Sequence, residues 1–345
     1  MKNPSRYLLI LITASVIFYL NCDDKSNPLS FVDDYTVTLT EAEGTTYTGN
    51  YFPLENSWDS YSGSISMKTR TEIPGSEPIE ELIDESIWED IRILAPCNIP
   101  LSSGIVSLYP ISEFNFLIHG YSDTTRFFMK DAQAVYLKAF KLSKGVYLEV
   151  DNPLYIKSEL VVGDSWETAP RLDMTKLLAR ELYKYRFGML TVTQSNIDLT
   201  AQAKFFVVGN EPISLPGGTR DALRLEQASE ITMTGDMIID ILNLDIYITA
   251  RLASVYHLIP DTGIVHQSVT GHLEMKVSAG GEKITIDINQ YELTLDGFYK
   301  VAYSYSSNNL KKRTRQPPTF NSPCQEKLWK VSQAITQILL KNLSL

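Results

Sequence analysis

The sequence predicts a mainly β protein: a large curved antiparallel sheet or open barrel with a few flanking helices. Three observations lead there. The 345 residues include 19 tyrosines and 13 phenylalanines, which favour strands. Apolar and polar residues alternate over long stretches, the period of a half-buried strand. Glycine, asparagine, aspartate and proline punctuate those stretches at intervals typical of turns.

The chain opens with Lys2 and Arg6, followed by an uncharged run from Tyr7 to Leu20 and then Asn21-Cys22-Asp23-Asp24. A short basic region before a compact apolar run is the pattern of a secretory signal peptide, expected over 1–21. An uncleaved anchor is the competing reading, and the run is short for a span of about 20 residues. A cysteine at the cleavage position, with polar sequence after it, resembles a bacterial lipoprotein signal. That resemblance implies that Cys22 becomes an acylated N-terminus and that the membrane is a partner through its lipid. The family pattern has Leu three places before the cysteine and a small residue just before it; Tyr19 and Asn21 stand here. The expected address is the cell envelope, as an outer-membrane lipoprotein, with its periplasmic or surface face left open.

Removing residues 1–21 takes away Lys2 and Arg6 and no acid, moving the net charge from −10 to −12. A surface this acidic is poorly suited to displacing counterions from nucleic acid, which is not an expected partner. Two further cysteines, Cys97 and Cys324, permit one intramolecular pairing in an oxidising compartment, so a Cys97–Cys324 disulfide is expected.

In chain order, residues 22–33 read as a polar spacer and 34–305 as a β-rich body. Tyr35, Val37 and Leu39 alternate with threonines as a strand does, and a second such stretch runs to about Thr71. Over 78–93, Ile79, Leu82, Ile83, Ile87 and Ile91 recur at helical spacing among acidic residues, which predicts an acidic amphipathic helix. Its charge run reads as a solvated face, with a calcium or partner site the alternative. Strands are expected near 105–109, 114–119, 126–129, 134–142 and 146–150. A short helix capped by Asp173 is expected over 173–187.

From Leu242 to Leu252 the even positions are apolar and their neighbours mostly polar, the clearest strand signal in the chain. Ile284, Ile286 and Ile288 continue that pattern, but the apolar set then moves to Tyr291, Leu293 and Leu295. A strand changes face only by gaining a residue, so a β-bulge is expected at Asn289-Gln290. Residues 306–323 read as a linker, and 324–345 as an amphipathic helix that either docks on the body or presses on anionic lipid.

Three stretches, Tyr51-Phe52-Pro53-Leu54 with Trp58, Val162-Gly163-Asp164-Ser165-Trp166 and Leu215-Pro216-Gly217-Gly218-Thr219, resemble poorly characterised exported lipoproteins of Bacteroidota-like bacteria. The first lacks that family's glycine, and Arg220 stands where the family prefers an aromatic. The resemblance implies a curved antiparallel sheet, an open barrel like that of periplasmic lipid carriers, and no catalytic residues. Independently of it, Gly217-Gly218 and Gly280-Gly281 read as hairpin turns.

No nucleophile elbow, zinc-protease helix or phosphate loop is present in the sequence, and no cofactor is expected. One constellation stands out. An even register across Pro260-Asp261-Thr262-Gly263 would set His257 opposite His266, close enough to share a metal. Two polar residues on a wetted sheet face is the competing reading, because zinc wants three or four ligands. The function expected is a non-enzymatic envelope protein that binds an apolar ligand or an envelope partner through its curved sheet. The alternative is a structural or interaction subunit of a surface complex with no ligand cavity.

Overall fold

The structure, a computed structural model, describes residues 31–300 apart from 54, 56, 73–74, 118–119, 144–145, 154, 174–191, 240–241 and 278–281. The signal segment, Cys22, Cys324, the expected linker and C-terminal helix, and Gly280-Gly281 lie outside the described residues. So does all of the expected 173–187 helix except Asp173, which ends a strand.

The chain starts with one helical turn, α1 (Phe31–Asp34), and then forms strands. The N-terminal half holds β1 (Thr46–Thr48), β2 (Ser57–Glu72), β3 (Ile79–Ile93), β4 (Cys97–Leu101), β5 (Gly104–Leu117) and β6 (Gly120–Lys130). After these come β7 (Ala134–Ser143), β8 (Val146–Glu149), β9 (Tyr155–Lys157), β10 (Glu159–Val161), β11 (Ser165–Thr168) and β12 (Arg171–Asp173). The C-terminal half holds β13 (Val192–Leu215), β14 (Gly218–Ile239), β15 (Leu242–Ile259), β16 (Gly263–Val277) and β17 (Glu282–Lys300).

Fifteen strands form one antiparallel sheet in the order β11-β13-β14-β15-β16-β17-β2-β3-β5-β6-β7-β8. Beside that path, β12 pairs with β13, β4 with β5, and β9 with β7. Two meanders, one from each half of the chain, are therefore joined where β17 pairs with β2. The ladder is not closed. Its two ends meet at a bridge where Asp151 and Arg171 exchange backbone N–H···O bonds of 3.0 and 2.9 Å. β13 and β14 run to 24 and 22 residues, several times the usual strand of about 5–6. Twist accumulates along such strands and curls the sheet around the face that carries the apolar residues.

That face follows the period of two. On β15, Ile246, Ile248, Ala250, Leu252, Ser254, Tyr256 and Leu258 are all buried, whereas Tyr247 between them is exposed. The expected bulge is present: β17 skips Asn289 against β2, and Ile284, Ile286, Ile288, Tyr291, Leu293 and Leu295 all stay buried on one face. The Gly217-Gly218 hairpin is present as well, with Leu215 pairing Gly218.

Three expectations need correction. Residues 78–93 are not a helix; 79–93 form β3, paired with β2 over 15 positions. Ile83, Ile87 and Ile91 are four apart, a spacing that fits a helix and, being even, also fits one face of a strand. The strand uses that second reading: Ile83, Ile87 and Ile93 are buried, while Leu82, on the would-be helical stripe, is 63% exposed. Long-range pairing with β2 outweighs the local helical pattern.

Second, Tyr35–Thr40 forms no ladder strand; Thr40 N–H donates to Val208 O at 3.0 Å. Third, the body begins before residue 34, because Val32 in α1 is fully buried.

Candidate ligand cavity and the polar interior

The segment Gly49–Pro53 crosses one mouth of the curled sheet as a strap. Lys130 Nζ, at the end of β6, donates to Asn50 Oδ1 at 2.6 Å. Asn50 Nδ2 donates to Asp261 Oδ1 at 3.1 Å, and Asp261 N–H donates to Asn50 O at 2.6 Å. The strap is thereby tied to both walls, β6 on one side and the β15–β16 turn on the other. At Gly263 a side chain would meet Pro53 Cγ at 2.9 Å, and its φ of +87° favours glycine, so the turn approaches the strap closely. Phe52 turns inward and packs its ring 5.6 Å from Tyr109 and 5.8 Å from Phe128, centroid to centroid.

Beneath the strap lies a cavity of about 310 Å³. Phe52, Ile91, Ile111, Phe128, Val135 and Ile264 supply apolar wall, and Tyr61 and Arg126 supply polar atoms. Lys130 and Lys157 also border it. The Tyr61 hydroxyl donates to Ile264 O at 2.7 Å, bridging from β2 to β16 across the interior.

The inner face is not uniformly apolar. One apolar cluster contains Ile65, Leu199, Ile248, Leu273 and Ile286; a second, beside the strap, contains Tyr51, Leu160, Trp166, Phe205 and Leu258. On β14 and β15, Gln227, Ser229 and Ser254 sit between members of the two clusters and are buried. Gln227 Nε2 donates to Ser229 Oγ at 2.6 Å and the Tyr256 hydroxyl donates to Gln227 Oε1 at 2.9 Å, so part of this stratum is internally satisfied.

Across the interior, on β5 and β6, Arg126 and Glu113 form a buried ion pair. Burial lowers the proton affinity of the Arg126 guanidinium, opposed by nearby Glu89, Tyr256 and Tyr291. Asp59 on β2 is fully buried, and neither of its oxygens has a hydrogen-bond partner among the described residues. Burial alone pushes its carboxyl up to about 7. Sequence reasoning missed this interior. Its signal was legible, because Asp59 shares the alternation phase of Tyr61, Ile65 and Met67.

The structure brings His257 and His266 together as expected, paired across β15 and β16 with Nδ1 atoms 3.1 Å apart. The hairpin is not evenly registered, since the ladder shifts between His257 and Leu258. His257 Nε2 lies 2.5 Å from Glu211 Oε1, so the Nε2–H donates to the carboxylate. Arg224 bonds Glu211 at 3.2 Å and Glu226 at 2.8 Å, and the Tyr35 hydroxyl donates to Glu226 at 2.7 Å. The pair thus terminates a chain of polar contacts that fastens the N-terminal segment to the sheet.

Burial opposes ionisation of Glu211, but the bonds from His257 and Arg224 prevail and hold its carboxyl below the usual range. Burial, then the neighbouring His257, lowers the proton affinity of His266. His272 is engaged elsewhere, with Asp287 at 2.6 Å. No group of three or more metal-ligating side chains occurs among the described residues. Cys97 begins β4 and is exposed.

No family model and no curated protein matches the chain. Among solved structures, it matches a Parabacteroides distasonis protein assigned as a lipoprotein at 10% identity and a TM-score of 0.29, over 71% of this chain and 100% of that one. A Bacteroides fragilis protein, assigned as exported with a YmcC-like fold, matches at 9% and 0.24, over 73% and 100%. An outer-membrane channel from Pseudomonas putida F1 matches at 10% and 0.27, over 72% and 99%.

Proposed function

We propose that this chain is a lipid-anchored envelope protein, tethered through Cys22, that holds an apolar ligand in the cavity beneath the strap and catalyses no reaction. The cavity carries this reading. Its volume of about 310 Å³ is at the small end of ligand pockets, roughly 300–1,000 Å³. Its walls are mainly aliphatic and aromatic, and its mouth is held by a pinned strap.

The tether rests on the sequence around Cys22, which resembles a lipoprotein signal. Two or more acyl chains would hold the body at a membrane where one would not. Organic extraction of protein purified from native envelopes, followed by mass spectrometry, tests the ligand. A stoichiometric apolar compound is the expected result, and a protein free of any bound apolar compound would contradict it. Cys22→Ala tests the tether by releasing the protein from the membrane fraction.

The second reading, an interaction subunit, draws on different residues. Leu82 at the start of β3 and Ile105 at the β4–β5 turn are 63% and 77% exposed. It predicts that Leu82→Ser and Ile105→Ser together abolish co-purification of an envelope partner while leaving ligand extraction unchanged.

A further inference from the structure

The cavity beneath the strap continues into a second hollow, and the junction between them carries charge. A recess of about 580 Å³ adjoins the cavity and shares Gly49, Ala132, Lys157 and Ser158 with it as wall. Lys157, at the end of β9, is half-buried, with its Nζ 5.1 Å from the centroid of the Trp166 ring. That ring is itself fixed, stacked on Phe205 at 5.0 Å and donating its Nε1–H to Tyr155 O at 3.2 Å. Lys130, exposed at the end of β6, borders the same cavity and donates to Asn50.

The other charged groups of this mouth are engaged. Asp131 also lines the cavity, but its Oδ1 accepts from the backbone N–H groups of Gln133 and Ala134 at 2.8 and 2.9 Å, within the β6–β7 turn. Asp261 accepts from Asn50, and Arg126 is matched by Glu113. Glu159 lines the recess but not the cavity, and is exposed. Neither Lys130 nor Lys157 forms an ion pair with a carboxylate among the described residues. An ammonium group donates only, so two of them at an apolar mouth suit an acceptor that carries negative charge. A charge held at the mouth also keeps part of its hydration, which one on the cavity floor would lose.

We infer that the cavity takes a single-chain amphiphile with an anionic head group. Its hydrocarbon lies among Phe52, Ile111, Phe128 and Val135, and its head group on Lys157, with Lys130 as the second cation of the mouth. This inference rests on the ligand-binding reading of the cavity and adds a head group to selection by apolar volume. A volume at the small end of ligand pockets limits the tail to one chain. A carboxylate and a phosphate monoester share the required chemistry. An amine of the same length is disfavoured, because it would add a third ammonium to two that lack ion-pair partners.

Displacement of the neutral probe N-phenyl-1-naphthylamine from the mature chain, carrying Cys22→Ser so that no lipid is attached, tests both layers. Decanoate, decyl phosphate, decanol and decylamine are compared at pH 8 and low salt. The stronger anion is expected to displace the probe at a concentration about tenfold below the alcohol's, the scale of one charge-assisted hydrogen bond. Which anion is the stronger identifies the source, a fatty acid or a phosphate-bearing lipid. Decylamine is expected to be the weakest of the four. K157Q is expected to bring the anions to the alcohol's value while leaving the alcohol unchanged. If the probe itself does not bind, the cavity reading fails and the inference with it. If it binds and neither anion has an advantage over the alcohol in the unsubstituted protein, the cavity reading stands and the anion inference is overturned. An amine that displaces best overturns it too. An anion advantage that survives K157Q intact overturns the role of Lys157. The ratio in the unsubstituted protein decides the ligand class even where K157Q fails to fold.

Discussion

Burial holds the Asp59 carboxyl near 7, against about 4 for an unburied aspartate, so the folded chain keeps a proton that the unfolded chain releases. The sign follows from linkage. A raised folded value contributes stability that is fully present below about pH 4 and is lost as pH rises through about 7. Three units correspond to about 4 kcal/mol. Asp59→Asn removes that loss, so urea denaturation should find the two proteins similar near pH 4 and the Asn protein about 4 kcal/mol more stable at pH 8. A gap that does not change with pH would contradict the assignment. The unpaired buried carboxyl thus weakens the fold once it ionises. At Gly63 the constraint is steric instead. An added Cβ would collide with the Glu292 carbonyl on the neighbouring strand, whereas at Gly217 it would meet nothing within 4 Å. Gly63→Ala should therefore cost about 2–4 kcal/mol, and Gly217→Ala under about 0.5 kcal/mol, by the same denaturation measurement.

Among the elements, the strap is the one whose displacement would alter function most. Its ties run through Asn50 to Lys130 and Asp261. Asn50→Ala should raise amide exchange across 49–53 and speed release of a bound apolar probe, with little effect on exchange in β14 or β15. β4 carries a separate expectation. Cys97 is exposed at its start, and the expected pairing with Cys324 predicts that non-reducing peptide mapping finds the two linked. If unstrained, such a bond would stabilise the fold by about 4–5 kcal/mol through its long loop. The elements also show how much was legible in the sequence. β15 and the bulge in β17 could be read because their apolar phase, and its slip at Asn289, is recorded in consecutive residues. β3 could not, because Ile83, Ile87 and Ile91 satisfy both periods and the decision belongs to β2. The His257–His266 pair was legible from the turn between them. Glu211, which orients the pair, was not, because it arrives from a strand 46 residues away.

At the scale of the whole molecule, two meanders share one curled face, and the sheet's ends touch at the Asp151–Arg171 bridge and where Trp166 Nε1 donates to Tyr155 O. That seam, with the strap beside the second apolar cluster, makes an interior that is enclosed without being a closed barrel. Sequence alternation foretold the curled sheet and its apolar inside. It did not foretell the cavity, because Phe52, Ile111 and Phe128 are assembled from segments distant in the chain. The central claim is that this cavity is a binding site, and calorimetric titration of an apolar probe into the mature chain tests it most directly. One saturable site per chain is predicted, lost when Val135→Trp fills the cavity in a protein that remains folded. Absence of saturable binding, or binding unaffected by Val135→Trp, would contradict it.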